Sequence, residues 1–145
     1  LLHISSSKSL RMKFSIFFVS LIISFFVAPE SEEKDLIGKS PAVIGVSPDS
    51  LQKDHLIFLF SPTCPHCKRL TRGVKKEQSK NHNVTGITFA GHEAELQIFK
   101  DSLKVNFPIL IVEKAPIYKY FKGTPRFIYV HEGIINDVTD SLKVF

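Results

Sequence analysis

The stretch Leu56-Ile57-Phe58-Leu59-Phe60-Ser61-Pro62-Thr63-Cys64-Pro65-His66-Cys67-Lys68 constrains the rest of the chain, because it holds the only two cysteines of the sequence. Its unbroken apolar run reads as a buried strand, and the turn residues Ser61, Pro62 and Thr63 end that strand directly before the first cysteine. The cysteines therefore fall where a strand hands over to a helix. With Cys64 at the N-cap, Pro65 takes the first helical position, where its fixed φ fits and its missing N–H would have been unpaired anyway. Cys67 then follows on the same face of the first turn. Side chains at that spacing lie roughly 5–6 Å apart at Cβ, close enough for a disulfide with little backbone movement. Free backbone N–H groups and the helix dipole favour a thiolate at Cys64, and His66 and Lys68 add positive charge nearby. Cys64 is the expected attacking sulfur and Cys67 the resolving one.

Two blander readings compete. A static disulfide closing so short a loop removes little chain entropy and makes a poor staple. Cys-x-x-Cys is also a zinc-ligand spacing, but a second cysteine pair is absent and His3, His55, His82, His92 and His131 show no paired ligand spacing. Neither a metal nor an organic cofactor is expected.

The strand, the Cys-Pro-His-Cys turn and the basic helix resemble the active site of the thioredoxin superfamily, and the Pro65-His66 dipeptide is similar to that of the oxidising Dsb-type members. Cys-x-x-Cys at such a position is the sequence mark of a thioredoxin-like redox motif. Gly123-Thr124-Pro125 sits where this superfamily carries its cis-proline loop, and cis X-Pro bonds are uncommon enough to make that a specific match. The resemblance runs from about Leu36 to Thr139. It implies an α/β fold, thioredoxin-like, with a central mixed sheet flanked by helices in β-α-β-α-β-β order. Within it, Leu36 to Val46 resembles the Gly-Lys-x-x-Pro opening segment of the exported TlpA-type and peroxiredoxin-like branch, with one residue fewer in Gly38-Lys39-Ser40-Pro41. That segment is too rich in Gly and Pro to rank as more than an edge strand.

The chain of 145 residues suffices for one domain with its own core. Lys8, Arg11 and Lys13 precede an apolar run from Phe14 to Ala28, the layout of a secretory signal, with the only methionine, Met12, as the expected start. Residues 1–28 are thus read as a leader, 29–35 as an acidic linker and 36–145 as the thioredoxin-like domain. Phe26 is bulky where cleavage favours a small residue, so an uncleaved anchor through residues 14–28 stays open beside a removed signal. Either route puts the protein outside the cytoplasm, periplasmic or otherwise extracytoplasmic, secreted or membrane-anchored, where disulfides form and persist. The net charge of +5 owes three units to Lys8, Arg11 and Lys13, leaving +2 from Glu30 onward. Lys68, Arg69, Arg72, Lys75, Lys76 and Lys80 remain on the first helix as a solvated basic face; interleaved aromatics or a nucleic-acid motif are missing, so no nucleic-acid partner is expected.

Beyond the first helix, Pro65 to Lys80, Val84 to Phe89 alternates as a second strand. His92 to Lys104 carries a helical stripe through Ala94, Ile98, Phe99 and Leu103, the crossover of a βαβ unit with parallel strands. A short apolar run, Phe107 to Val112, and a helical or irregular segment, Ala115 to Phe121, lead into the Gly-Thr-Pro loop. Arg126 to Val130 and Ile134 to Val138 flank His131-Glu132-Gly133 as a hairpin. Asn83-Val84-Thr85 fits a glycosylation sequon, a pattern that arises often by chance. Two departures from the resembling family stand out. Only Asp140 to Phe145 follow the hairpin, leaving the terminal helix short or missing. Phe58 stands where thioredoxins carry a buried proton-relaying aspartate, with Glu93 and Glu95 as candidate replacements on the next helix.

The resemblance implies a thiol-disulfide oxidoreductase acting on protein or peptide thiols through Cys64 and Cys67. Pro65 and His66 tune the pair, and Thr124 and Pro125 offer backbone to an extended substrate strand. A membrane redox partner would complete the cycle. A protonated His66 favours the oxidising direction, whereas TlpA-like proteins are mostly reductases, so the direction stays open. Two alternatives remain. A thiol peroxidase would want Pro-x-x-x-Thr-x-x-Cys, where this chain has Ile57 and Ser61. A non-enzymatic Cu(I)-binding module would use the two thiolates.

Overall fold

A strand buried on both faces needs no alternation, and the apolar run Leu56 to Phe60 behaves accordingly. In the computed structural model, which describes residues 32–51 and 53–143, it lies in β1 (Asp54–Leu59) and its continuation, with Leu56 to Phe60 all at 1% exposure or less. The elements that follow are α1 (Pro65–Ser79), β2 (Asn83–Phe89), α2 (Glu93–Leu103), β3 (Ile109–Val112), α3 (Lys114–Tyr118), β4 (Arg126–His131) and β5 (Ile134–Thr139). They keep the β-α-β-α-β-β order read from the sequence and add a strand, β3, and the short helix α3 before the hairpin; most ends move by a residue or two, and α3 stops three residues short of Phe121. The five strands form one mixed sheet in the order β3-β2-β1-β4-β5. β2 runs parallel to β1 and to β3, while β4 is antiparallel to β1 and to β5. This is a thioredoxin-like sheet with β1 at its centre.

Each face of the sheet carries its own core. On one, Phe58 stacks between Phe60 and Phe127, at ring-centroid distances of 5.2 and 5.1 Å, and Phe60 stacks in turn on Phe99 at 4.7 Å. Cys67, Val74, Phe107 and Tyr129 join this layer, so α1 is seated on it. Gly86 allows the layer to close over β2: a Cβ there would lie 2.9 Å from the Phe107 ring and 3.0 Å from that of Phe60. The opposite face is mostly aliphatic, built from Ile57, Leu59, Ile87, Ile128, Val130 and Ile135 and covered by Leu36, Ile44, Val46 and Ile117.

That cover corrects the edge-strand expectation for Leu36 to Val46. The segment forms two short 3-10 turns, Glu32–Leu36 and Pro41–Ile44. Pro41 has no N–H to give a ladder, and Gly38 and Gly45 take φ of +85° and +80°, which turns the chain out of any extended run. Only two backbone bonds tie it to β5, from Gly38 N–H to Ile135 O at 2.8 Å and from Ile135 N–H to Lys39 O at 2.9 Å. Residues 32–35, read as linker, lie in the first of these turns, where Glu33 accepts from Arg126 Nε at 2.7 Å. The leader and its proposed signal or anchor lie outside the described residues. Among those residues, no helix is long and apolar enough to cross a membrane.

At the hairpin, Glu132 and Gly133 both take positive φ, 49° and 76°, as a two-residue turn between right-twisted strands requires. After β5, Asp140 to Lys143 form no helix. They are held against α1 instead: the Tyr129 hydroxyl accepts from Lys143 N–H at 2.6 Å and donates to Lys143 O at 3.2 Å, and Leu142 packs beside Gly73. The sequon is spent on structure, with Asn83 Nδ2 donating to Asp54 O at 3.0 Å and Thr85 buried against His55.

Candidate active site

Ser61 to Thr63 carry the chain from the centre of the sheet to the N-terminus of α1, which leaves Cys64 at the N-cap with extended φ and ψ of −74° and 118° and Pro65 just behind it. The Cys64 sulfur accepts from Cys67 N–H at 3.4 Å, the capping role that a Ser or Asp oxygen would otherwise take. Both cysteines are free thiols, but their surroundings differ: Cys64 is partly exposed, whereas Cys67 is fully buried against the aromatic layer.

Electrostatics separates them further. Partial burial pushes the Cys64 thiol up, yet this is outweighed by the Cys67 N–H and thiol, the His66 N–H and the Arg69 guanidinium, which together hold it below the ordinary thiol range. Cys67 is pushed up to about 11 by burial first, with its neighbour Cys64 adding to the rise; the Ser61 backbone is the strongest opposing influence and the Thr124 hydroxyl a lesser one. At neutral pH the accessible sulfur is therefore the more acidic one. This is the polarity that the helix-cap reading predicts.

Arg69 is the cation acting on Cys64 in this arrangement, rather than Lys68. It also donates from Nη2 to His66 Nδ1 at 3.5 Å, so that nitrogen is an acceptor and His66, exposed beside the pair, contributes its backbone N–H to Cys64. The signal for Arg69 was its place one turn beyond Pro65-His66 on the same helix face.

The Thr124–Pro125 peptide is cis. Pro125 is buried at the start of β4, and Thr124 is half-buried with its hydroxyl near the Cys67 sulfur, so the two separated motifs meet at the cysteine pair. Thr124 and Gly123 also line a groove of about 280 Å³ that includes Cys64. Its floor is Leu59, Phe89 and Phe121, and its rim carries His92, Lys114 and Tyr118. Sequence reasoning left out these rim residues. They could have been found from topology, because the loops after parallel β2 and β3 leave the sheet at the same end as Cys64, where ligand sites of such sheets gather.

The proposed carboxylate replacements do not reach the pair. Glu93 and Glu95 are both exposed, and Glu93 is engaged with Gly91 N–H at 2.9 Å. Among the described residues the one buried carboxylate is Glu77, held by Lys80 Nζ at 2.9 Å and His82 Nδ1 at 2.7 Å. It lies ten residues beyond Cys67, about 15 Å along the helix axis. Phe58 fills the space beneath Cys67 with hydrocarbon. No group of three or more His, Cys, Asp or Glu side chains able to hold a metal ion occurs among the described residues.

The sheet order, the cysteine pair capping α1 and the cis-proline loop together define a thioredoxin-fold protein. Solved structures agree. The chain is similar to a secreted disulfide oxidoreductase of Mycobacterium tuberculosis described as homologous to Escherichia coli DsbE, with a TM-score of 0.57 and 18% identity over 79% of this chain and 88% of that one. It is also similar to a thio-disulfide isomerase from Thermus thermophilus (TM-score 0.54, 16% identity, 68% and 76% covered) and to StoA from Bacillus subtilis (0.53, 17%, 66% and 78%). No protein-family model matches the sequence, and no curated protein matches it.

Proposed function

We propose that the chain is a thiol-disulfide oxidoreductase that exchanges disulfides with protein or peptide thiols outside the cytoplasm through Cys64 and Cys67. The single observation that carries this reading is the asymmetry of the pair: an accessible sulfur held acidic at a helix N-cap beside a buried one pushed up to about 11. In the oxidising direction a substrate thiolate attacks Cys64 Sγ of the disulfide, the Cys64–Cys67 bond breaks, and Cys67 leaves and takes up a proton. A second substrate thiol, having lost its proton, attacks the substrate sulfur of the mixed disulfide and expels the Cys64 thiolate. Two electrons pass to the pair, and a dithiol-oxidising partner must remove them. In the reducing direction every step reverses, Cys64 attacks first, and the partner is a reductant. A low thiol pKa helps in both directions, because the thiolate is both nucleophile and leaving group. An extracytoplasmic setting is supported by the leader pattern and by the secreted relative from Mycobacterium tuberculosis.

Equilibration of the protein with glutathione buffers, read by mass after acid quench, tests this. A disulfide forming with a potential between roughly −270 and −120 mV is expected, the lower end marking a reductase and the upper end a disulfide donor. Cys64→Ser should abolish exchange, and Cys67→Ser should stall as a mixed disulfide with substrate. A pair that forms no disulfide in any of these buffers overturns the proposal.

A further inference from the structure

The two sides of Cys64 are charged differently. On the side of His66, the surface is lined by Arg126 and Asp140, and Arg126 is already paired with Glu33. The groove on the other side carries His92 and Lys114 and no carboxylate among its lining residues. Among the described residues neither the His92 ring nor the Lys114 ammonium makes a hydrogen bond or ion pair; an acid adjoins each in sequence, Glu93 after His92 and Glu113 before Lys114, and Glu93 spends its carboxylate on Gly91 N–H. Neither side chain serves its helix well. Lys114 opens α3, where the helix dipole disfavours positive charge, and His92 occupies the N-cap of α2 without a capping bond. Beneath them the floor is apolar, and Tyr118, half-exposed, stacks on Phe89 at 5.3 Å between ring centroids.

We infer that this groove selects substrate segments in which an acidic side chain accompanies an apolar or aromatic one near the reacting cysteine, with Lys114 and His92 reading the acid and the Phe89–Tyr118 wall the apolar group. The inference rests on the exchange reading above and deepens it to a substrate class. An extended peptide paired along Thr124 would run over the groove, its alternate side chains turned into it. A carboxylate there meets the Lys114 ammonium and can accept from the His92 ring, whereas a lysine meets repulsion from Lys114, so discrimination comes as much from exclusion as from attraction.

The test uses short peptides that each hold one cysteine as a mixed disulfide with 2-mercaptoethanol, have phenylalanine nearby, and differ only in a Glu, Gln or Lys beside it. The reduced protein should react with the Glu peptide about tenfold faster than with the Lys peptide at low salt, the ratio shrinking as salt screens it. Lys114→Glu, at an exposed position, should bring the ratio to one or below, while Lys76→Glu on the outer face of α1 should leave it standing. A wild-type ratio near one overturns the inference. So do equal effects of the two charge reversals, which would assign the preference to overall surface charge. Reaction with hydroxyethyl disulfide separates the two proposals: if this small neutral disulfide is reduced and the peptides show no preference, exchange stands and the substrate class falls. If it is not reduced and no peptide reacts, both fall.

Discussion

The face of the sheet beneath α1 and the face beneath the N-terminal turns are both dry, but they are built from different side chains. Phe58, Phe60, Phe99, Phe107 and Phe127 make the first a stack of rings, while the second is chiefly Ile, Leu and Val. The aromatic face buries Cys67 and packs against Cys64, while Leu59, Phe89 and Phe121 of the other face floor the groove beside Cys64. The difference teaches that this site obtains its asymmetry without a buried carboxylate. Burial in hydrocarbon is the first cause that keeps the Cys67 thiol protonated, and in the exchange proposed above the protons would leave by way of water and substrate at the exposed Cys64 side.

Reintroducing an acid is the harshest way to break this contrast. Phe58→Asp buries a carboxylate without a partner and should cost on the order of 4 kcal/mol or more at neutral pH, among the largest effects expected of a point change. Its carboxyl pKa in the folded state would be raised above the unfolded value of about 3.9, so the deficit should be smallest in acid and grow as pH rises through that value. Urea unfolding at pH 4 and pH 7 reads the difference.

Two neighbours on β4 compare the faces directly. Phe127→Ala should cost about 3–5 kcal/mol and Ile128→Ala about 2–5, with Phe127 the more costly because it removes one side of the Phe58 stack. Urea midpoints in which Ile128 matters more would show that the aromatic face is the looser of the two.

Sharper still is the thiol itself. Folded Cys67 keeps its proton up to about 11, whereas an unfolded thiol gives it up near ~8.5, so its contribution to stability is present below the lower value and is lost as pH rises between the two. Reduced protein should therefore weaken across that range more steeply than its Cys67→Ala variant. Equal slopes in denaturant melts would mean that the dry layer does not hold the proton.

The mildest change acts at the surface. Arg69→Ala should raise the Cys64 pKa only slightly, since exposed charges are screened and the backbone N–H groups remain. The pH profile of Cys64 alkylation should shift alkaline correspondingly. No shift would leave the helix N-terminus and the Cys67 thiol as the cause.

Much of this was legible in the chain. An apolar run with no alternation, ended by turn residues, reads as a strand covered twice, and cysteines placed directly after the Ser-Pro-Thr turn read as the cap of the helix that follows. Leu36 to Val46 was less legible, because burial of Leu36, Ile44 and Val46 comes from a folded-over turn that shows neither helical nor strand periodicity. The groove rim was hidden for another reason: His92 and Lys114 are brought to Cys64 by the parallel crossovers, and no local pattern encodes that meeting. Glu93 and Glu95 misled because sequence proximity to the second strand says nothing about which way a helix turns its charges.

Strand β3 bears on how the protein behaves in company. Among the described residues it lies at the rim of the sheet, hydrogen-bonded on one side only, and shows Leu110 and Ile111 at 38% and 49% exposure. Backbone donors and acceptors left open beside greasy side chains are a template for a second copy. Concentration is thus a variable in its own right, and a charged residue at Ile111 is the change that should extend the lifetime of concentrated stocks while leaving the cysteine pair untouched.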